Sequence, residues 1–229
     1  MKNKFPLMIV GVLALIGGVL ASNYFSTDKP GFSSIASSGP SQAEKPDLEK
    51  LQSTLKTSFA LPLDFKSVPD FQLLDANAEP ITQSVFDDRW SIVFFGYTHC
   101  PDVCPITLQV MKNVVAKIAE QEGTKPQIVF ISVDPVRDTS DIMKNYISFF
   151  DEEFVGITGD MNGVHALTRS LGIVASFTAN GEDPENYIVD HTASLLLIDP
   201  QKRVRAKISA PHVAETIVAD YLTMIGAPS

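Results

Sequence analysis

The sequence predicts an α/β domain with a central sheet, and three observations carry that reading. Two apolar runs of strand length, residues 91–97 and 127–133, are each followed by a segment with apolar residues at helical spacing. Two further apolar stretches, 193–198 and 204–208, close the chain together with a last helix. Both cysteines of the chain, Cys100 and Cys104, fall in the first strand-to-helix connection.

At 229 residues and 45% hydrophobic content the chain has room for one domain of ~150–180 residues plus extensions. The domain is expected over residues 61–229. It opens with a hairpin, because Phe71, Leu73, Ile81 and Val85 flank the turn-like Asp75-Ala-Asn-Ala-Glu-Pro80. The buried strand 91–97 follows, then a helix over 105–121 with Ile106, Val110, Met111, Val114, Val115 and Ile118 on one face. The second strand leads to helices over 139–150 and 163–171, and a polar loop occupies 179–186. The closing strands are joined by Asp199-Pro-Gln-Lys202, and the last helix covers 212–225. A βαβ start, a closing hairpin with a helix, and a cysteine pair at the first strand-to-helix turn make the layout of a thioredoxin-like domain.

Ahead of the domain no charge occurs between Lys4 and Asp28, and residues 7–21 are almost wholly apolar, with Lys2 and Lys4 on their N-terminal side. Residues 1–25 therefore read as an uncleaved membrane anchor with its N-terminus in the cytoplasm, the alternative being an export signal cut near Ala21. No cysteine stands near the end of the run, which excludes a lipoprotein anchor. Residues 26–60 form a linker: up to about Pro46 they are rich in Ser, Pro, Gly and Ala, a tether reaching ~25 Å on a root-mean-square basis, and 47–57 read as a short polar helix. The domain is thus expected on the periplasmic side of a bacterial inner membrane, where thiols meet oxidants. The net charge of −9 and pI near 4.8 argue against nucleic acid as a partner.

Two thiols separated by three residues can form a disulfide or hold a soft metal, and no other cysteine exists to build a larger disulfide framework. A structural disulfide across so short a loop would restrain little unfolded-state entropy. Residues preceding proline are pushed out of the helical region, so neither Cys100 nor Cys104 is expected to be helical. Pro105 suits the first helical position with Cys104 as N-cap, placing both sulfurs ahead of a helix N-terminus that favours thiolates.

A metal would want at least one further ligand, and the chain has four histidines. His99 adjoins Cys100 but on an extended segment faces the opposite side. His165 and His212 read as surface or capping residues. His191, in Val189-Asp-His-Thr-Ala-Ser194, stands at the mouth of a buried strand, and in a thioredoxin-like fold the loop entering that strand passes beside the cysteine loop; a polar residue ending a strand is the plainer alternative. Two thiolates and an imidazole form a soft set suited to copper, with zinc possible only if water or a carboxylate completes a tetrahedron. Asp134 and Asp138 are near enough in sequence, yet their expected roles are capping the helix at Thr139 and pairing with Arg137. Met111, Met143, Met161 and Met224 read as core filler.

Three segments, Phe95-Gly-Tyr-Thr-His-Cys-Pro-Asp-Val-Cys-Pro105, Ile131-Ser-Val-Asp-Pro-Val-Arg-Asp-Thr139 and Tyr187-Ile-Val-Asp-His191, resemble the motifs of the Sco/SenC family. The resemblance extends over residues 71–222. It implies a membrane-tethered thioredoxin-like domain that binds a copper ion through Cys100, Cys104 and His191. It further implies a role in building the dinuclear copper centre of cytochrome c oxidase subunit II, with other copper chaperones or thioredoxin-like reductants as further partners. Where the family often has a glycine in the opening hairpin, this chain has Asn77-Ala78.

Three functions then compete. A copper metallochaperone needs all three ligands. A thiol-disulfide oxidoreductase uses Cys100 and Cys104 as its catalytic redox pair and can spare His191; the three-residue spacing, against two in thioredoxin motifs, argues mildly against a general one. A thiol peroxidase needs an activating arginine or threonine in the cysteine loop, where only Thr98 is present.

Overall fold

The computed structural model describes residues 48–179 and 187–226. The apolar run at 7–21 and the tether lie outside the described residues, and among the described residues no helix is long and apolar enough to cross a membrane.

The core of the domain is an eight-stranded mixed sheet in the spatial order β1 (Ser58–Ala60), β10 (Val204–Ile208), β9 (Leu195–Ile198), β4 (Ser91–Gly96), β5 (Gln127–Ser132), β6 (Val155–Thr158), β2 (Gln72–Asp75) and β3 (Pro80–Thr82). Its centre is the pair β4 (Ser91–Gly96) and β5 (Gln127–Ser132), parallel and in register from Ser91 against Gln127 to Gly96 against Ser132. All of Ile92, Val93, Phe94 and Phe95 are buried, as are Ile128 to Ile131, which is why both strands read as continuous apolar runs rather than as alternating ones. The parallel crossover is made by α2 (Val103–Glu120), which packs on α3 (Ser140–Phe150) and α5 (Ala214–Ile225). On the other side of β4 the antiparallel pair β9 (Leu195–Ile198) and β10 (Val204–Ile208) completes the thioredoxin-like layout expected from the sequence.

The opening hairpin is shorter than its apolar residues implied. β2 (Gln72–Asp75) pairs with β3 (Pro80–Thr82), and Ala78 takes the left-handed conformation at φ 62°. Val85 belongs to a 3-10 turn, Gln83–Phe86, capped by the Thr82 hydroxyl, and not to a strand. Two strands of the sheet carried no clear signal: β1 (Ser58–Ala60), at the edge against β10, and β6 (Val155–Thr158), between β5 and β2. α1 (Leu48–Thr54) leads into β1. After α4 (Met161–Ser170), β7 (Ala175–Ala179) and β8 (Tyr187–His191) pair with each other only, as a ribbon separate from the main sheet.

Candidate metal centre

β4 runs out at Gly96 and the chain turns immediately, with the Cys100 N–H donating to the Tyr97 carbonyl at 3.2 Å. α2 then begins at Val103, with Asp102 as its N-cap residue. Cys104 is therefore in the first helical turn and fully buried, which corrects the expected start at Pro105 with a non-helical Cys104 as cap. The first four N–H groups of a helix have no intrahelical partner, so a proline is tolerated throughout that turn and marks it without marking its first residue. The bias against helical conformation before proline yields here to the burial of Cys104, whose Sγ packs against Gly96: a Cβ at position 96 would lie 2.8 Å from it.

The opposite wall comes from β8, where Tyr187, Val189 and His191 share the inward side of the strand. His191 Nε2 lies 3.6 Å from Cys104 Sγ. Its Nδ1 faces the Thr192 carbonyl at 3.3 Å, and a carbonyl can only accept, so in the neutral ring Nδ1 carries the hydrogen and Nε2 presents its lone pair to the sulfurs. The rings of Phe94 and Tyr97 stand edge-on to the imidazole at 6.2 and 6.0 Å. Cys100, half-buried, accepts from the Cys104 N–H at 3.5 Å, and both cysteines are free thiols. A hydrogen bond from Cys104 draws the Cys100 thiol far below its ordinary value against the opposing effect of burial. The same hydrogen bond, together with burial, pushes the Cys104 thiol far up.

The neighbouring carboxylates are occupied otherwise. Asp138, fully buried, accepts from the Thr98 N–H at 3.1 Å and from the Thr98 and Ser132 hydroxyls at 2.6 Å each, tying the cysteine loop to the end of β5. It neither caps α3, a task performed by the Thr139 hydroxyl, nor pairs with Arg137. Asp134 makes the Arg137 pair, at 2.5 Å. Among the described residues no three or more His, Cys, Asp and Glu side chains are closed to metal-holding geometry. Cys100, Cys104 and His191 form a hydrogen-bonding array instead.

Of the other histidines, His99 is half-exposed with Nδ1 on the Thr98 hydroxyl at 3.0 Å, and His165 rests beside Phe177. His212 is neither surface nor cap: it lies half-buried on the Thr107 hydroxyl, and α5 starts after it, with Val213 as its N-cap. Met111, Met143 and Met224 are fully buried, as core filler should be, whereas Met161, the first residue of α4, is only partly buried. Missed from the sequence are Gly96 and the contacts of Tyr187, whereas the pairing of a carboxylate with Arg137 was expected and is made by Asp134. A glycine ending a buried strand beside a cysteine pair was the available signal for close approach at Gly96.

The SCO1/SenC family model matches residues 62–226. A candidate copper-binding protein of Stutzerimonas stutzeri is 35% identical over 146 residues, covering 64% of this chain and 71% of that protein. The human mitochondrial SCO1 homolog is 36% identical over 164 residues, which is 71% of this chain but 53% of the longer human protein. Among solved structures, Arabidopsis thaliana ScoI with copper bound superposes with a TM-score of 0.66 at 29% identity, covering 70% of this chain and 98% of that one. The chain belongs to the SCO1/SenC family.

Proposed function

We propose that the chain is a copper-binding metallochaperone, with one copper ion as its cargo held by Cys100, Cys104 and His191. The observation that carries this is the approach of His191 Nε2 to Cys104 Sγ at 3.6 Å, with Cys100 Sγ alongside. Two thiols that give up their protons to a metal and an imidazole with one ring nitrogen inward are soft donors of the kind that select copper. The cargo passes by ligand exchange to the dinuclear copper centre of cytochrome c oxidase subunit II, as the family resemblance implies. The apolar run at 7–21 behind two lysines supports a single-pass anchor in a bacterial inner membrane, with the domain on the periplasmic side.

A second reading, a thiol-disulfide reductase that keeps the copper-site cysteines of the oxidase subunit reduced, has its own support. A half-exposed Cys100 with a strongly lowered pKa beside a buried Cys104 with a raised one is the asymmetry of an attacking and a resolving thiol.

Copper titration of the reduced protein separates the two. One equivalent bound by the wild type, weakened at least tenfold in both Cys100→Ser and His191→Ala, is the expected result. Binding indifferent to His191 would end the three-ligand reading and favour the reductase.

A further inference from the structure

His191 is carried on the β7–β8 ribbon, which shares no ladder with the eight-stranded sheet. Main-sheet pairing therefore does not set where the imidazole stands, and something else must. At the base of the ribbon the Thr192 N–H donates to the Val174 carbonyl at 3.0 Å and the Val174 N–H to the Thr192 hydroxyl at 3.1 Å. The far end of β8 is held by a different device. The Arg137 guanidinium lies over the Tyr187 ring, 3.6 Å from its centroid, and Arg137 Nη1 donates to the Tyr187 carbonyl at 3.1 Å. Both side chains share one carboxylate: the Tyr187 hydroxyl donates to Asp134 Oδ1 at 2.7 Å and Arg137 Nε to Asp134 Oδ2 at 2.5 Å. Asp134 is fully buried at the end of β5, its own N–H donating to the Ser132 hydroxyl at 2.9 Å. Arg137 also faces Tyr97 at 5.7 Å, and Tyr97 in turn forms one wall of the His191 ring.

We propose that Arg137 is a positioning residue for the site: with Asp134 and Tyr187 it clamps β8 to the β5–α3 connection and thereby sets the place of His191 Nε2 beside Cys104. Two fixed points define the line of a strand. The ribbon base supplies one, the clamp the other, and Tyr187, Val189 and His191 project from the same side of that line. The clamp needs the planar fork of arginine, since one nitrogen meets the carboxylate, another the Tyr187 carbonyl, and the plane stacks on the ring; lysine cannot satisfy the three together.

The functional consequence rests on the copper-binding reading, but the position of His191 does not, and the two are measured separately. On the metal-free reduced protein, the His191 imidazole resonances in the wild type are expected to be displaced from exposed-histidine positions by the Phe94 and Tyr97 rings, which stand 6.2 and 6.0 Å away. They are expected to collapse towards those positions in Arg137→Ala and equally in Arg137→Lys, and part of the way in Tyr187→Phe, whose conservative change keeps the fold should Arg137→Ala lose it. With copper, Arg137→Ala is expected to bind at least tenfold more weakly, and the double variant Arg137→Ala/His191→Ala no more than about threefold more weakly than His191→Ala, because the clamp acts only through that ligand. Unmoved His191 resonances in folded Arg137→Ala and Tyr187→Phe would overturn the proposal, as would full rescue by lysine or losses that multiply in the double variant. Displaced resonances in a protein that binds no copper would uphold the clamp and reject the copper reading instead.

Discussion

At Gly96 the absence of a side chain is what admits the sulfur of Cys104. A Cβ there would meet Cys104 Sγ and Phe130 Cε2 at 2.8 Å each, well inside ordinary contact, and Phe130 is locked between Phe94 and Tyr146. Relief can come only from Cys104, which is itself fully buried. Gly96→Ala is therefore expected to cost about 2 kcal/mol of stability by overpacking, and to weaken copper binding tenfold or more by shifting Cys104 relative to His191. Denaturant unfolding and copper titration of the one variant check both halves. A variant that keeps full stability would mean that the thiol loop has slack which the packing does not reveal.

At the scale of elements, the entry of the chain into the sheet depends on one side chain of α5. Asp220, buried, accepts from the backbone N–H groups of Lys56, Thr57 and Ser58 at 2.6, 2.9 and 2.8 Å, holding the start of β1 at the sheet edge. Burial raises the Asp220 pKa, but these backbone donors outweigh it and the net shift is downward. A carboxyl with a depressed folded-state pKa contributes stability that is present above its unfolded value and lost as pH falls through the folded one. The wild type should thus lose stability from Asp220 as pH drops below about 4, a component missing from Asp220→Ala. At neutral pH that variant, leaving three N–H groups without their acceptor, should be about 3 kcal/mol less stable. Parallel stability-against-pH curves for the two proteins would contradict the assignment. β1 itself was illegible in the sequence, since Ser58–Ala60 is too short to show a period and the strand it pairs with, β10, lies near the other end of the chain. β6, with Gly156 under Met143, failed to show for a similar reason: four residues around a glycine look like a loop. β4 and β5 were readable because both faces are covered and the interior positions, Ile92 to Phe95 and Ile128 to Ile131, are all apolar in consequence.

For the molecule as a whole, the two chemistries of the site compete for the same electrons. The cysteine loop was plain in the sequence because it is local, whereas the contact between Cys104 and His191 spans 87 residues and the ribbon that makes it has no pattern distinguishing it from a polar loop. What the assembled site adds is exclusion. Forming the Cys100–Cys104 disulfide removes two protons and two electrons from the pair, which pass to an external oxidant, and leaves no thiolate to ligate copper. The reduced protein should bind one copper and be stabilised by it: at a free concentration 100 times Kd the gain is about 2.7 kcal/mol, which for a domain of this size raises Tm by roughly 5–10 °C. The oxidised protein should show no such rise, and treatment with a phosphine reductant should restore it. Thermal scans of the two redox forms, with and without copper, make the comparison directly. An oxidised form stabilised as much as the reduced one would place the metal somewhere other than on these two sulfurs, and the thiol pair would then be left to thiol-disulfide exchange alone.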